Sequence, residues 1–130
     1  MDKSGFYCIL AGVYNESKKK WEELTPLYLS KAFPETLRER IKEPHNAFHG
    51  INKFLNEKPE RNLLVMLGIF TDISTHKVSE DLFNAVKHCL INTNRPLSNP
   101  SYIENYTGNL LGINNEGNFH PLKEKSICRV

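Results

Sequence analysis

The longest apolar block in this 130-residue chain runs from Leu63 to Phe70, where seven of the eight residues are apolar. It is far shorter than the run of about 18 apolar residues that spans a bilayer, so the block belongs inside a folded domain. Because it has no polar face, it is either a central buried helix or an interior strand. Its leucine and methionine content favours a helix, and we expect the other elements to pack around it.

The segment from Gly5 to Tyr14 carries no charge and is rich in aromatic and β-branched residues, which predicts a buried or half-buried strand. A turn with a lysine run follows at Asn15 to Lys20. The next residues, Trp21 to Leu24, are compatible with the returning strand of a hairpin or with the start of a helix. So short a segment does not decide between the two.

Beyond the hairpin, prolines and capping residues divide the chain into short helical segments. The clearest of these begins after Ser79, which is a suitable N-cap, with Glu80 and Asp81 in the first turn. Lys87 and His88 are then expected in its last turn, where they would complement the helix dipole. The predicted helical segments lie within residues 25–33, 34–43, 44–57, 60–70, 79–90 and 99–112.

We therefore predict a mainly α fold, a compact bundle of about five short helices with an N-terminal strand or hairpin. Residues 1–112 are expected to form a single globular domain. Residues 113–130 are polar and are expected to be a loosely packed C-terminal tail.

The chain carries 17 Lys and Arg against 15 Asp and Glu, a formal net charge of +2. This near-neutral charge excludes a strongly basic nucleic-acid binder and an acidic solvating tail, so nucleic acid is not a favoured partner. The run Lys18 to Lys20 beside Trp21 has the composition of a phosphate contact. A single run of this kind on a near-neutral protein is more typical of a solvated turn.

The cysteines Cys8, Cys89 and Cys128 are far apart and odd in number. This spacing argues against a disulfide framework and against a cysteine-based zinc site, and it fits a reducing compartment. The N-terminal segment also lacks a convincing secretion signal. We therefore predict an intracellular, cytoplasmic protein that does not enter the membrane.

His45 and His49 lie four residues apart on the predicted helix 44–57, a spacing at which two imidazoles can ligate one metal ion. The residue after His45 is Asn46, where a zinc hydrolase would place a glutamate. We expect the pair to face solvent or a partner, and we keep a metal-dependent hydrolase that uses His45 and His49 as an alternative function. Candidates for a third ligand are His76, His88 and Asp72.

No glycine-rich phosphate loop and no nucleophile elbow occurs in the sequence, and we predict no cofactor. We therefore favour a non-enzymatic protein–protein interaction module, such as a small adaptor, inhibitor or effector. Aromatic side chains are frequent interface anchors, and we assign the partner contact to Tyr14, Trp21 and Tyr28. Homo-oligomers are also compatible, since a strand at Gly5 to Tyr14 on a sheet edge can pair with a second copy.

The order of elements resembles that of the metal-free U-box ubiquitin-ligase domains, in which a hairpin precedes a helix and exposed apolar loop residues hold a conjugating enzyme. Phe6 to Leu24 would be the hairpin, and the helices beyond Pro26 would follow it. The resemblance implies a ligase scaffold as a second alternative function. The Cys-Pro-Ile type of loop is absent, because Cys8 is followed by Ile9 and Leu10.

Overall fold

The computed structural model of the protein describes residues 3–41, 48–71, 73, 78–99 and 111–128. These residues form five strands and three helices, so the protein is a mixed α/β protein and the prediction of a mainly α helical bundle is wrong. The elements in chain order are β1 (Gly5–Asn15), β2 (Lys20–Ala32), α1 (Leu37–Ile41), α2 (Phe48–Glu57), β3 (Asn62–Gly68), α3 (Glu80–Asn94), β4 (Leu111–Asn114) and β5 (Lys125–Cys128).

Strands β1, β2 and β3 form an antiparallel sheet with β1 in the middle, in the order β2-β1-β3. The β1–β2 hairpin runs from the pair Asn15 and Lys20 at its tip to the pair Gly5 and Ala32 at its open end. The predicted N-terminal strand is thereby confirmed. The residues Trp21 to Leu24 belong to the returning strand.

The helix predicted within residues 25–33 is wrong, because Thr25 to Ala32 continues strand β2. The Thr25-Pro26 pair resembles a helix start, but proline is also accepted in an edge strand, where its missing N–H need not join a ladder. Pairing with β1 then buries Leu27 and Leu29 almost completely.

The helix predicted for the apolar block is also wrong. Asn62–Gly68 is strand β3, and it lies at the edge of the sheet beside β1. Its side chains alternate in exposure, which a uniformly apolar sequence does not reveal: Leu64 and Met66 pack against the core, whereas Leu63, Val65 and Leu67 are exposed. The central position expected for this block is taken by β1, which is buried on both faces.

Two apolar clusters cover the two faces of the sheet, so the fold has three layers. On one face α1 and α2 contribute Leu37 and Ile51, which pack with Tyr7 and Ile9 of β1. On the other face α3 and the β4–β5 hairpin pack against the remaining side chains of β1. The buried members of this second cluster are Phe6, Cys8, Leu10, Leu29, Leu82, Phe83, Val86, Cys89, Leu90, Ile91, Leu111 and Cys128.

The helix predicted after Ser79 is confirmed. The Ser79 hydroxyl accepts a hydrogen bond from the Leu82 N–H, and two acidic residues lie in the first turn. The helix continues to Asn94, so Lys87 and His88 lie in its middle and not in its last turn. It ends at Arg95, whose left-handed backbone lets its N–H donate to the Ile91 carbonyl.

The C-terminal part of the chain is tied to α3. β4 and β5 form a two-stranded antiparallel sheet, and a disulfide joins Cys89 of α3 to Cys128 of β5. The expectation that the cysteines are unpaired is therefore wrong for this pair, and Cys8 is the free cysteine among the described residues. Most of the helix predicted over 99–112 lies outside the described residues, and Leu111 and Gly112 belong to β4.

Within the parts of the chain that the structure describes, no helix is both long and apolar enough to cross a membrane.

Candidate anion-binding site

Helix α1 begins with a reciprocal cap that engages its one glutamate. The Thr36 hydroxyl accepts a hydrogen bond from the Glu39 N–H, and the Glu39 carboxylate accepts from the Thr36 N–H and hydroxyl. These hydrogen bonds with Thr36 hold the pKa of Glu39 below its usual range. Glu39 is thus committed to the helix start, although Arg40 is its neighbour in sequence.

Arg40 extends from α1 over the aromatic ring of Tyr7 on β1. The guanidinium carbon lies 5.6 Å from the ring centroid, which is within the range of a cation–π interaction. Tyr7 is only 2% exposed, and its ring lies 6.2 Å from that of Tyr28 on β2. Tyr7 therefore acts as a fixed platform that positions the arginine.

Burial raises the pKa of Tyr7 to about 12. The positive charge of Arg40 and a hydrogen bond with Ser30 oppose this shift, whereas Tyr28 and the carboxylate of Glu35 add to it. The strand register explains the contact, since Tyr7 lies directly opposite Ser30 in the β1–β2 pair. At neutral pH the phenol is protonated. Its O–H can donate a hydrogen bond, but it cannot serve as a base or a nucleophile without a change in its surroundings.

Three cations from three different elements interact through their charges, and we call Lys31, Arg40 and Lys87 the cation cluster. Lys87 is half-buried on α3, and its pKa is lowered first by burial and then by the charges of Lys31 and Arg40. Lys31 lies near the end of β2, where its ammonium donates to the Phe33 carbonyl at 3.3 Å. The cluster thus includes cations from α1 and α3, which cover opposite faces of the sheet.

Burial of the Lys87 ammonium costs free energy, and the charges of Lys31 and Arg40 add to this cost. Arginine and lysine in such a setting are typical ligands of phosphate and carboxylate groups, with arginine able to bind two oxygens at once. Half-buried Tyr28 packs on the same side of the sheet as the Tyr7 platform. The arrangement is therefore suited to binding an anion.

The aromatic residues predicted to contact a partner fall into two places. Tyr14 and Trp21 are both exposed and form an edge-to-face pair near the tip of the hairpin, with ring centroids 5.2 Å apart. Tyr28 lies toward the open end of the hairpin, where it packs against Tyr7. The structure brings the first two together and separates them from the third.

The histidines of the alternative metal-dependent function fall largely outside the described residues. His45 and the side chain of His49 lie outside the described residues, as do Asp72 and His76. His88 lies on α3, where burial and then the charge of Lys87 lower its pKa. Among the residues that the structure describes, no group of three or more His, Cys, Asp and Glu side chains could hold a metal ion.

A cavity of about 650 Å³ lies on the opposite face of the sheet, between β1, β3, α3 and β4. Its walls include Phe6, Met66, Val86 and the free thiol of Cys8. Burial raises the pKa of this thiol to about 12, so it is protonated at neutral pH and is not an activated nucleophile. Polar side chains, among them Asn115, Glu116 and Asn118, also line the cavity, so its wall is only partly apolar.

Sequence reasoning named Tyr28 but missed the cation cluster. Glutamates flank Arg40 in the sequence, which suggests that they neutralise its charge. The hydrogen bonds of the cap at Thr36 show that one of them, Glu39, is engaged at the helix start. Lys31 and Lys87 are 56 residues apart, so no local pattern connects them. The capping pattern from Thr36 to Glu39 was the one local signal that pointed to a different role for Glu39.

Comparison with protein-family models, with curated protein sequences and with solved structures finds no match to this chain.

Proposed function

We propose that the protein binds the phosphodiester backbone of a nucleic acid, with the cation cluster as the principal contact. The observation that carries this proposal is the position of Arg40 over the buried Tyr7 ring, together with the charges of Lys31 and Arg40 that, after burial, lower the pKa of half-buried Lys87. An anion bound among the three would form favourable charge interactions with each of them. The net charge of +2 argued against nucleic acid, but it averages over the whole chain and does not describe this local concentration of charge.

A second basic segment on the same strand favours a polymer over a small phosphate. Lys20 lies at the start of β2 and Lys31 near its end, about 35 Å apart at 3.3 Å per strand residue. Next to Lys20, the exposed ring of Trp21 is available for stacking with a base. Only an extended polyanion can place one phosphate at Lys20 and another at Lys31, because a small anion does not span this distance.

The test is fluorescence anisotropy with labelled 20-nucleotide single-stranded DNA, single-stranded RNA and duplex DNA at several salt concentrations. We expect non-specific dissociation constants of about 1–100 μM at physiological salt, rising steeply with salt. The double variant Lys31→Ala with Lys87→Ala should weaken binding and reduce the salt slope by about 1 for each phosphate that the protein no longer binds. A matched double variant, Lys53→Ala with Lys58→Ala, removes the same charge from the exposed surface of α2 and its C-terminal end.

The proposal fails if no nucleic acid binds at low salt, or if the two double variants weaken binding equally. Competition with inorganic phosphate is a further check. A polymer that bridges both ends of β2 should be displaced only by a large excess of phosphate. Displacement of the DNA by inorganic phosphate at the same concentration as the phosphate groups of the DNA would show a site for small anions instead.

Binding to another protein remains a second candidate, favoured by the exposed Tyr14–Trp21 pair. Paired aromatic rings on the surface provide a large contact area at a low cost in side-chain entropy. Trp21 is the only tryptophan in the chain, so its fluorescence reports directly on this surface. Quenching of the Trp21 fluorescence by single-stranded DNA would assign the Tyr14–Trp21 pair to base stacking. Binding of DNA without a change in Trp21 fluorescence would indicate that the pair contacts a protein partner instead.

The cytoplasmic location also remains a proposal, and the disulfide makes it testable. Disulfides are uncommon in reducing compartments, so a protein that works in the cytoplasm should carry Cys89 and Cys128 mainly as thiols there. Acid quenching of cells that make the protein, followed by maleimide labelling in denaturant, counts these thiols. Three labelled cysteines support the cytoplasm, and a single one supports an oxidising compartment.

A further inference from the structure

The cavity on the α3 side of the sheet has the size of a small-molecule site. Its volume of about 650 Å³ falls within the range of about 300–1,000 Å³ that is typical of ligand pockets. Strands β1, β3 and β4 and helix α3 contribute its walls, and none of the three residues of the cation cluster lines it. The cavity is therefore separate from the site proposed to bind nucleic acid.

The wall formed by β1, β3 and the residues after β3 is rich in aromatic and sulfur-containing side chains. Phe6 of β1 and Phe70, which follows β3, both line the cavity, and their rings meet edge-to-face with centroids 5.3 Å apart. Met66 lies opposite Cys8 in the β1–β3 pair, and both residues line the cavity. Aromatic rings and the polarisable thioether of methionine make favourable contacts with another aromatic ring. This wall is therefore suited to an aromatic molecule.

The opening of the cavity is polar and is formed by residues that follow β4. Glu116 and Asn118 line the cavity and are exposed, so they mark the side on which it meets solvent. The side-chain nitrogen of Asn115 donates to the Lys123 carbonyl at 2.8 Å, and its backbone N–H donates to the Glu124 carbonyl at 2.7 Å. These hydrogen bonds tie the polar rim to the β4–β5 hairpin.

The charge of the lining selects against anionic ligands. Glu116 is the one charged residue among the described residues that line the cavity. A carboxylate or sulfonate that entered would approach this carboxylate and would find no lysine, arginine or histidine to pair with in the described part of the lining. The amide of Asn118 can donate to or accept from an uncharged polar group. The lining thus favours a neutral ligand with a hydrogen-bonding group at its outer end.

We infer that the cavity binds a neutral aromatic molecule of two or three rings, with the rings against Phe6, Met66 and Phe70 and a polar group at the rim. Burial of the rings against the apolar wall supplies the free energy of binding. Glu116 and Asn118 are exposed, so the polar group of the ligand stays in contact with water at the rim. For a ligand of this size we expect a dissociation constant of about 1–50 μM.

Two fluorescent probes that share one ring system test the ligand class. N-phenyl-1-naphthylamine is neutral, and 8-anilinonaphthalene-1-sulfonate is the same molecule with one added sulfonate. The neutral probe should bind with the expected dissociation constant, and the sulfonate should bind in the cavity at least about tenfold more weakly, because a buried charge without a partner is costly. Glu116→Gln should strengthen binding of the sulfonate about two- to threefold, the effect of one exposed charge, and leave the neutral probe unchanged.

NMR of the methionine methyl groups shows where the probes bind. The chain has two methionines, Met1 and Met66, so protein labelled with ¹³C-methyl methionine gives two methyl signals, and Met66→Leu identifies the one that belongs to the cavity. The ring current of the bound neutral probe should shift the Met66 signal. Binding of the sulfonate at the cation cluster would leave the Met66 signal in place, so the two sites are distinguished.

A substitution that fills the cavity tests the location independently. Ile113→Trp places a large side chain at a half-buried position that lines the cavity, and it should weaken binding of the neutral probe by more than about tenfold. Leu55→Trp introduces the same side chain at a half-buried apolar position on the opposite face of the sheet, and it should bind the probe like the wild type. Circular dichroism checks that both variants are folded.

Four results would overturn the inference. The neutral probe could fail to bind, or it could bind without moving the Met66 signal. The Ile113→Trp and Leu55→Trp variants could bind it equally well. Finally, the sulfonate could shift the Met66 signal at the same concentration as the neutral probe, which would show that the cavity does not select neutral ligands.

Discussion

Asn99 occupies the position of a neighbouring strand beside Leu29. Its side-chain oxygen accepts a hydrogen bond from the Leu29 N–H at 2.9 Å, and its side-chain nitrogen donates to the Leu29 carbonyl at 3.0 Å. Asn99 is buried, and the two residues are 70 positions apart in the chain. One amide side chain thus satisfies both backbone groups of an edge-strand residue and anchors the loop after α3 to the sheet.

Replacing Asn99 with alanine should destabilise the protein by about 2–4 kcal/mol, because it leaves one buried N–H and one buried C=O without partners. Urea denaturation followed by far-UV circular dichroism measures this loss. Asn99→Asp would bury a carboxylate against the Leu29 carbonyl oxygen, so at neutral pH it should destabilise the protein at least as much as the alanine variant. An exposed asparagine on α2, Asn52→Ala, should change stability by less than about 0.5 kcal/mol. Equal effects at the two alanine positions would refute the strand-like role of Asn99.

Lys87→Met should separate stability from binding. In the free protein the substitution removes one of three mutually repelling charges and keeps a helix-forming residue. The free energy of unfolding should therefore stay the same or rise by up to about 1 kcal/mol, while affinity for nucleic acid falls. Denaturation without nucleic acid and anisotropy with it measure the two effects. Lys53→Met on α2, whose side chain is exposed, should leave both nearly unchanged. A marked loss of stability in Lys87→Met would show that attraction to other groups outweighs the repulsion within the cluster.

Removing the disulfide should destabilise the oxidised protein by about 4 kcal/mol, because the bond closes a loop of 39 residues in the unfolded chain. Guanidinium denaturation of Cys128→Ala measures this difference. Cys89→Ala with Cys128→Ala should cost only slightly more than the single variant, since each loses the same cross-link. The wild type in denaturant should show one reactive thiol before reduction and three after it. Three reactive thiols before reduction would contradict the cross-link.

The sequence predicted some elements because their signals are local. The cap at Ser79 and the acidic first turn mark the start of α3 without help from the rest of the fold. The charge-free segment after Gly5 likewise indicates a strand. Both features are contained within a few neighbouring residues.

The failures have one cause, which is that pairing with β1 decides the structure of distant segments. Leu63 to Phe70 is almost uniformly apolar, so the alternation imposed by the sheet leaves no trace in its sequence. Thr25-Pro26 carries a helix-start signal that β1 overrides by burying Leu27 and Leu29. The Cys89–Cys128 bond joins α3 to β5, and the cation cluster also joins residues far apart in the chain, so no spacing rule identifies either of them in advance.

Alkaline pH should destabilise the protein through two buried acids, Cys8 and Tyr7. Burial raises the pKa of Cys8 from 9.0 to about 12 and that of Tyr7 from 10.0 to about 12, so the folded state prefers their neutral forms. Their contribution to stability is therefore complete below about pH 9 and is lost as pH rises toward about 12. At about pH 11 the wild type should have lost about 4 kcal/mol, of which Cys8 accounts for about two thirds.

Urea denaturation at about pH 8, 9.5 and 11 measures this loss, and variants assign it. Cys8→Ala should be less stable than the wild type at about pH 8, because it leaves a small cavity in the core, but its stability should fall less steeply with pH. Tyr7→Phe should remove the part of the loss that begins near the ordinary tyrosine pKa of 10.0. Tyr14→Phe, at an exposed tyrosine, should follow the wild-type curve. If the Cys8→Ala curve ran parallel to that of the wild type, the thiol would have to ionise as readily in the folded protein as in the unfolded chain. Cys8 would then not be enclosed between β1 and α3 as the structure places it.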